Sequence, residues 1–161
     1  MIKVLPLIKL PVASLRIKSS KLALADIKKD DIQRLIDNMI ATMYDAEGIG
    51  IAAPQVGLNI RLIIISHNKE PLALINPKII KRSWRKDIQE EGCLSIPGLY
   101  GPVKRSLTVF ARAIGRGGNE LNIKLEGLSA RIIQHEIDHI DGILFVDRAR
   151  EIKRVNIPKG E

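Results

Sequence analysis

Apolar positions follow two rhythms along the chain. From Asp30 they recur at Ile32, Leu35, Ile36, Met39, Ile40 and Met43, offsets of 0, 3, 4, 7, 8 and 11. That spacing predicts one face of an amphipathic helix, started at Asp30 or Asp31 and stopping near Tyr44 to Ala46, before Gly48 and Gly50. Further on the period shortens. Arg61 to Ser66 reads as a buried, isoleucine-rich strand. Leu72 to Ile75 and Lys78 to Lys81 read as two short strands around Asn76-Pro77. Leu107 to Arg112 alternates, and so do Leu121, Ile123 and Leu125, with a turn at Arg116 to Asn119 between them. A second helix is predicted from Leu128 to about Ile140, closed by Asp141-Gly142. Pro6 and Pro11 make residues 1–22 an extended arm. Residues 48–57, rich in glycine and small side chains, read as a loop. Residues 148–161 read as a short basic tail, in which Pro158 argues against a long helix. The order helix, strands, helix predicts an α+β fold with a largely antiparallel sheet, as one domain over 1–161.

Composition narrows this picture only slightly. The chain has 161 residues, 45% apolar and 27% charged, enough for a self-sufficient core. Aromatics are only 3%, so that core rests on Ile, Leu, Val and Ala. Lys plus Arg exceeds Asp plus Glu by 26 − 18, a net charge of +8 that permits an acidic partner such as RNA without demanding one. A single cysteine, Cys93, excludes an intramolecular disulfide and suits a reducing compartment. No apolar run approaches the roughly 18 residues of a membrane span, and the N-terminus carries no signal-peptide pattern. A cytoplasmic protein with no membrane contact is expected, although a processed organellar chain would read the same.

The second helix contains His135-Glu136-Ile137-Asp138-His139. Histidines at i and i+4 project from one face, one turn apart, so both rings can reach one ion. Glu136 lies beside a ligand, where its carboxylate can take a proton from water at the metal. Three fixed positions at about 1 in 20 each, over about 160 starts, give a chance occurrence of roughly 2%. Leu128 and Ile132 share the face of His135 and His139, which points the imidazoles inward. Cys93, in Glu91-Gly92-Cys93-Leu94-Ser95, is the better third ligand. His67 reads as a bland surface residue. Cys, His and His leave a fourth tetrahedral position open, the mark of a catalytic site. Gln55 ends the small-residue loop, and its amide can donate to an oxyanion without titrating.

Together, Gly48-Ile49-Gly50-Ile51-Ala52-Ala53-Pro54-Gln55, Glu91 to Ser95 and His135 to His139 resemble peptide deformylases of the bacterial and organellar type without the large insertion. The resemblance runs from Asp30 through Asp147. It implies sheets packed around a central helix carrying H-E-x-x-H, and a metallohydrolase removing the formyl group from the N-terminal methionine of new polypeptides, with release of formate. By resemblance Cys93, His135 and His139 hold the metal, and Glu136, Gln55 and Leu94, through its backbone N–H, act on the substrate. Ile49, Gly50, Gly92, Glu91, Leu128 and Ile132 would line the substrate site, with Glu91 paired to Arg105. Ile49, Leu128 and Ile132 read equally as core. The resemblance implies ferrous iron, with zinc, nickel or cobalt as substitutes. Partners would be N-formyl-Met nascent chains and, through the basic surface, the ribosome, with no sequence-specific nucleic acid.

Two other classes fit parts of the sequence. A zinc endopeptidase fits H-E-x-x-H but leaves Gln55 and Cys93 unexplained. A basic RNA-binding module fits the charge and the runs Lys81-Arg82 and Arg85-Lys86, but needs no metal.

Overall fold

The computed structural model describes residues 1–155. The predicted first helix, α1, spans Asp30–Asp45. Its cap differs from expectation: Lys29 occupies that position without a side-chain bond, and Asp31 accepts from the Ile32 amide at 2.9 Å. Strands follow as β1 (Gly50–Ala52), β2 (Leu62–His67), β3 (Glu70–Arg82), β4 (Lys86–Cys93), β5 (Ile96–Ser106), β6 (Thr108–Ile114) and β7 (Glu120–Glu126). The second helix, α2, spans Gly127–Ile140 and carries His135, Glu136 and His139. A short α3 (Phe145–Arg148) and β8 (Lys153–Arg154) complete the described chain. Part of the expected tail, residues 156–161 with Pro158, lies outside the described residues.

The class is α+β with antiparallel sheets. One sheet has the order β1-β2-β3-β6-β7 and the other β4-β5-β8. β2 explains the run of isoleucines: Ile63 and Ile65 pack toward α2, whereas Leu62 and Ile64 pack toward α1. A strand covered on both faces has no polar side to alternate with. The α1 stripe buries Ile36, Met39 and Met43 against Ile51 and Ile64, while α2 buries Ile133, Ile137 and Ile140 against Val109, Ala111 and Leu125.

Three expectations change. The 48–57 loop contains a strand and a 3-10 turn (Ala53–Val56), because Gly50 to Ala52 pair with Ile65 to Ile63 at the sheet edge. The two strands around Asn76-Pro77 are one strand, β3, interrupted by a register shift between Ile75 and Lys78. Asn76 has a positive φ of 50°, and its side chain bonds both main-chain groups of Leu22, so the kink is filled rather than open. β4 and β5 were not anticipated as strands.

The N-terminal segment includes a 3-10 turn at Ala13–Arg16 and is hydrogen-bonded to the body. The amides of Lys3 and Leu5 donate to Asn38 and Thr42 of α1, and those of Ile8 and Leu10 donate to the carbonyls of Gln55 and Ser95.

Candidate metal centre and its cleft

Three elements meet at the site. The end of β4 brings Cys93, α2 brings its two histidines, and the turn after β1 brings Gln55. Cys93 Sγ lies 3.2 Å from His139 Nε2, which lies 3.2 Å from His135 Nε2. With metal–nitrogen bonds of about 2.0–2.1 Å, tetrahedral geometry separates two imidazole nitrogens by roughly 3.3 Å, so these donors fit one ion. A thiolate with two imidazoles is also a donor set for a divalent transition metal.

The electrostatics agree with a cation at this point. Burial disfavours charge on the His135 ring, but its bonds to Cys93 and Glu91 and the Glu136 charge outweigh it and raise its pKa to about 10. A metal ion held by His135 would supply that positive charge in place of a proton. Burial, then the charge of His135, pushes the His139 pKa well below its ordinary value and keeps the ring neutral.

Glu91 orients this pair. Its Oε1 accepts from His135 Nδ1 at 2.9 Å, which turns Nε2 toward Cys93. Arg105 grips both of its oxygens at 2.9 Å, and Arg131 reaches Oε2 at 2.6 Å. The expected pairing with Arg105 is present. The expected role of the Glu91 side chain at the substrate is corrected, because its carboxylate is buried and fully engaged, though the residue lines the cleft. Burial opposes its ionisation, yet Arg105 and His135 lower its pKa to about 2.

Sequence reasoning gave no role to Arg131 or Asp138. Arg131 also bonds the Asp87 carboxylate and the Val103 carbonyl. Asp138 takes Arg105 at 2.6 Å and Arg148 at 2.6 and 2.9 Å. The available signal was Arg131 itself, a cation four residues before His135 and therefore on the same inward face of the helix. His67 stands apart at the end of β2, 3.3 Å from the Ser129 hydroxyl.

Gln55 is 1% exposed. Its Oε1 accepts from the Ala52 amide at 2.9 Å, which fixes the flip of the group. Its Nε2 therefore faces the site, 3.2 Å from Ser95 Oγ and 3.7 Å from Cys93 Sγ. Glu136 is buried, and its Oε2 has no hydrogen-bond partner among the described residues. Burial raises its pKa to about 7. β1 runs directly over this carboxylate: a Cβ on Gly50 would meet Glu136 Oε1 at 2.5 Å and Ile132 Cγ2 at 2.9 Å. A Cβ on Gly92 would strike the Tyr100 ring at 2.6 Å. A side chain at Gly50 would have to displace the buried Glu136 and Ile132, whereas one at Gly92 would only have to turn aside the part-exposed Tyr100 ring.

The centre opens into a cleft of about 480 Å³ that Gly48, Gln55, Leu94, Ile132 and Glu136 help to line. Ile49 and Leu128 stand at the cleft 50% and 59% exposed, so neither is core. Ile132 is core and cleft wall at once.

An antiparallel α+β frame, a Cys-His-His cluster that could hold one metal ion, and a buried carboxylate beside it are the marks of a metal-dependent hydrolase. Residues 4–155 match the family model described as polypeptide deformylase, and the chain belongs to that family. It is 50% identical over 124 residues to the peptide deformylase of Desulfitobacterium hafniense, covering 77% of this chain and 82% of that one. Over 154 residues it is 44% identical to the peptide deformylase of Rhizobium meliloti, covering 92% and 87%. A Met-Ala-Ser-bound crystal structure of a class I type b peptide deformylase from Acinetobacter baumannii superposes with a TM-score of 0.88 at 34% identity, covering 92% of this chain and 99% of that one. The chain is a hydrolase that removes the N-formyl group from nascent polypeptides.

Proposed function

We propose that the 161 residues form one catalytic domain, with α2 as its central helix, and that deformylation runs on the following division of labour. Cys93, His135 and His139 hold a divalent cation, ferrous iron in the cell, with zinc, nickel or cobalt able to replace it. When bound, that cation supplies a Lewis acid beside the formyl group and makes water a nucleophile at neutral pH.

The formyl end of the chain enters with its methionine side chain against Leu128 and Ile132, and its backbone runs along Ile49, Gly50 and Gly92. Glu136 takes the proton from the attacking water and later gives it to the departing amine. A pKa of about 7 lets it do both near neutrality. Gln55 Nε2 and the Leu94 N–H donate to the oxygen as it gains charge. Arg105 acts through Glu91, holding it on His135. The formyl carbon bears only hydrogen, and a tight site rejects bulkier acyl groups.

The observation that carries this reading is the inward face of the Gln55 amide, locked by Ala52 and aimed at Cys93. It favours deformylation over peptide-bond cleavage by a generic H-E-x-x-H enzyme. The test is formate release from formyl-Met-Ala-Ser by anaerobically prepared protein, with unformylated Met-Ala-Ser as the second substrate. Formate from the first and no cleavage of the second is expected; the reverse overturns it. Elemental analysis of the same sample tests the iron assignment. A cytoplasmic location and contact with the ribosome through the basic surface belong to the same proposal. No helix among the described residues is long and apolar enough to cross a membrane.

A further inference from the structure

Away from the cleft, the connection from β3 to β4 carries an unusual surface. Trp84, the only tryptophan of the chain, is 88% exposed there. Lys81 and Arg82 precede it, Arg85 and Lys86 follow it, and Lys104 comes from β5, whose Ser106 pairs with Lys86. All five cations are exposed, and none takes part in an ion pair among the described residues. Asp87, the nearest carboxylate in sequence, is turned to Arg131. Trp84, Arg85, Lys86, Lys104 and Leu107 line a shallow depression of about 460 Å³, which shares no residue with the metal cleft.

The backbone that carries the indole is fixed on both sides. Ser83 makes two bonds to the main chain of Thr108, its N–H donating to the Thr108 carbonyl at 2.9 Å and its hydroxyl accepting from the Thr108 N–H at 3.0 Å. The same hydroxyl donates to the Arg85 carbonyl at 2.8 Å, which also receives the Leu107 amide at 3.0 Å. Both neighbours of Trp84 are therefore tied to the β5–β6 junction, and the side chain between them is held outward. An indole facing water gains nothing for the core. A π-face ringed by unpaired cations is the chemistry that takes a base and its flanking phosphates.

We propose that this connection binds single-stranded RNA without sequence preference, a base stacking on Trp84 and the backbone phosphates meeting the five cations. The site is independent of deformylation. Trp84 is also its own probe, since no other tryptophan emits.

The experiment titrates the full-length, metal-loaded protein with short oligo(A) between about 50 and 200 mM salt, reading tryptophan emission. Quenching is expected, with a log–log salt slope of about −2 to −3.5, as three to five phosphates at about −0.7 each require. Anisotropy of labelled oligo(A) then reads the variants. Trp84→Leu should weaken binding by about 5- to 150-fold. Arg85→Glu with Lys86→Glu should weaken it further and flatten the salt slope. Both variants should deformylate a free formyl peptide at the parent rate. RNA binding that leaves Trp84 emission and the Trp84→Leu affinity unchanged overturns the stacking site. So does binding to heparin or to phosphatidylglycerol vesicles in the absence of RNA binding, and so does no RNA binding at about 50 mM salt.

Discussion

Glu136 and Glu91 are both buried carboxylates beside His135, yet they titrate near 7 and near 2. Burial raises both. Glu91 alone has Arg105 hydrogen-bonded to it, while Oε2 of Glu136 faces no donor among the described residues. One carboxylate is therefore a fixed charge, and the other has the pKa that the proton carrier of the proposed mechanism needs. Glu136→Gln should keep stoichiometric metal and lose about 10²-fold or more in kcat, since an amide cannot carry the proton. Steady-state kinetics beside elemental analysis decide it, and a parental rate would remove Glu136 from the mechanism. Gln55→Ala should lower kcat by roughly 10²–10³ with little change in KM, because the donor is worth more to the charged transition state than to the formyl oxygen. If Gln55 only braces its turn, metal content or melting temperature falls instead and kcat per bound metal holds.

Between elements, the closest fit is that of β1 on α2. Gly50→Ala forces a methyl group to within 2.5 Å of Glu136 Oε1, so strand or carboxylate must move. A displacement near 1 Å at the reacting groups costs about 10²-fold, so kcat should fall on that order while far-UV circular dichroism stays unchanged. The same contact shows why parts of the fold were legible and parts were not. Both helices, β6 and β7 announced themselves by periodicity, because their inward faces are apolar, and β2 by its unbroken isoleucine run, because both of its faces are. β4 did not: its inward residues Asp87 and Glu91 are charged and meet Arg131 and Arg105, so the usual alternation is absent. β5 is broken in sequence by Pro97, Gly98, Gly101 and Pro102, yet pairs with β4 from Lys104 to Gly101 and beyond. At the site, residues tied to short motifs were readable. Arg131, Asp138 and Arg148 were not, since an ion network assembled from β4, β5, α2 and α3 leaves no local pattern.

Across the whole molecule that network links the second sheet to α2, and its charge state sets stability in acid. Glu91 titrates near 2 when folded against an ordinary 4.5. The unfolded chain takes up the proton first, so the stabilisation is complete above about pH 4.5 and is lost as pH falls toward 2. Glu91→Gln leaves buried guanidinium groups short of a partner and should cost about 3 kcal/mol at pH 7. In urea unfolding of the metal-free protein, the gap between parent and variant should narrow from pH 6 to pH 3.5; a constant gap would place Glu91 outside the acid response. The arm has a consequence of a different kind. Its amides at Ile8 and Leu10 are fastened to the carbonyls of Gln55 and Ser95. A clasp made at so few points opens more often than the sheets beneath it. Each opening removes one tie from the main chain on which the Gln55 side chain rides. Deuterium uptake at those two amides thus times, without any label, how often that side of the cleft slackens.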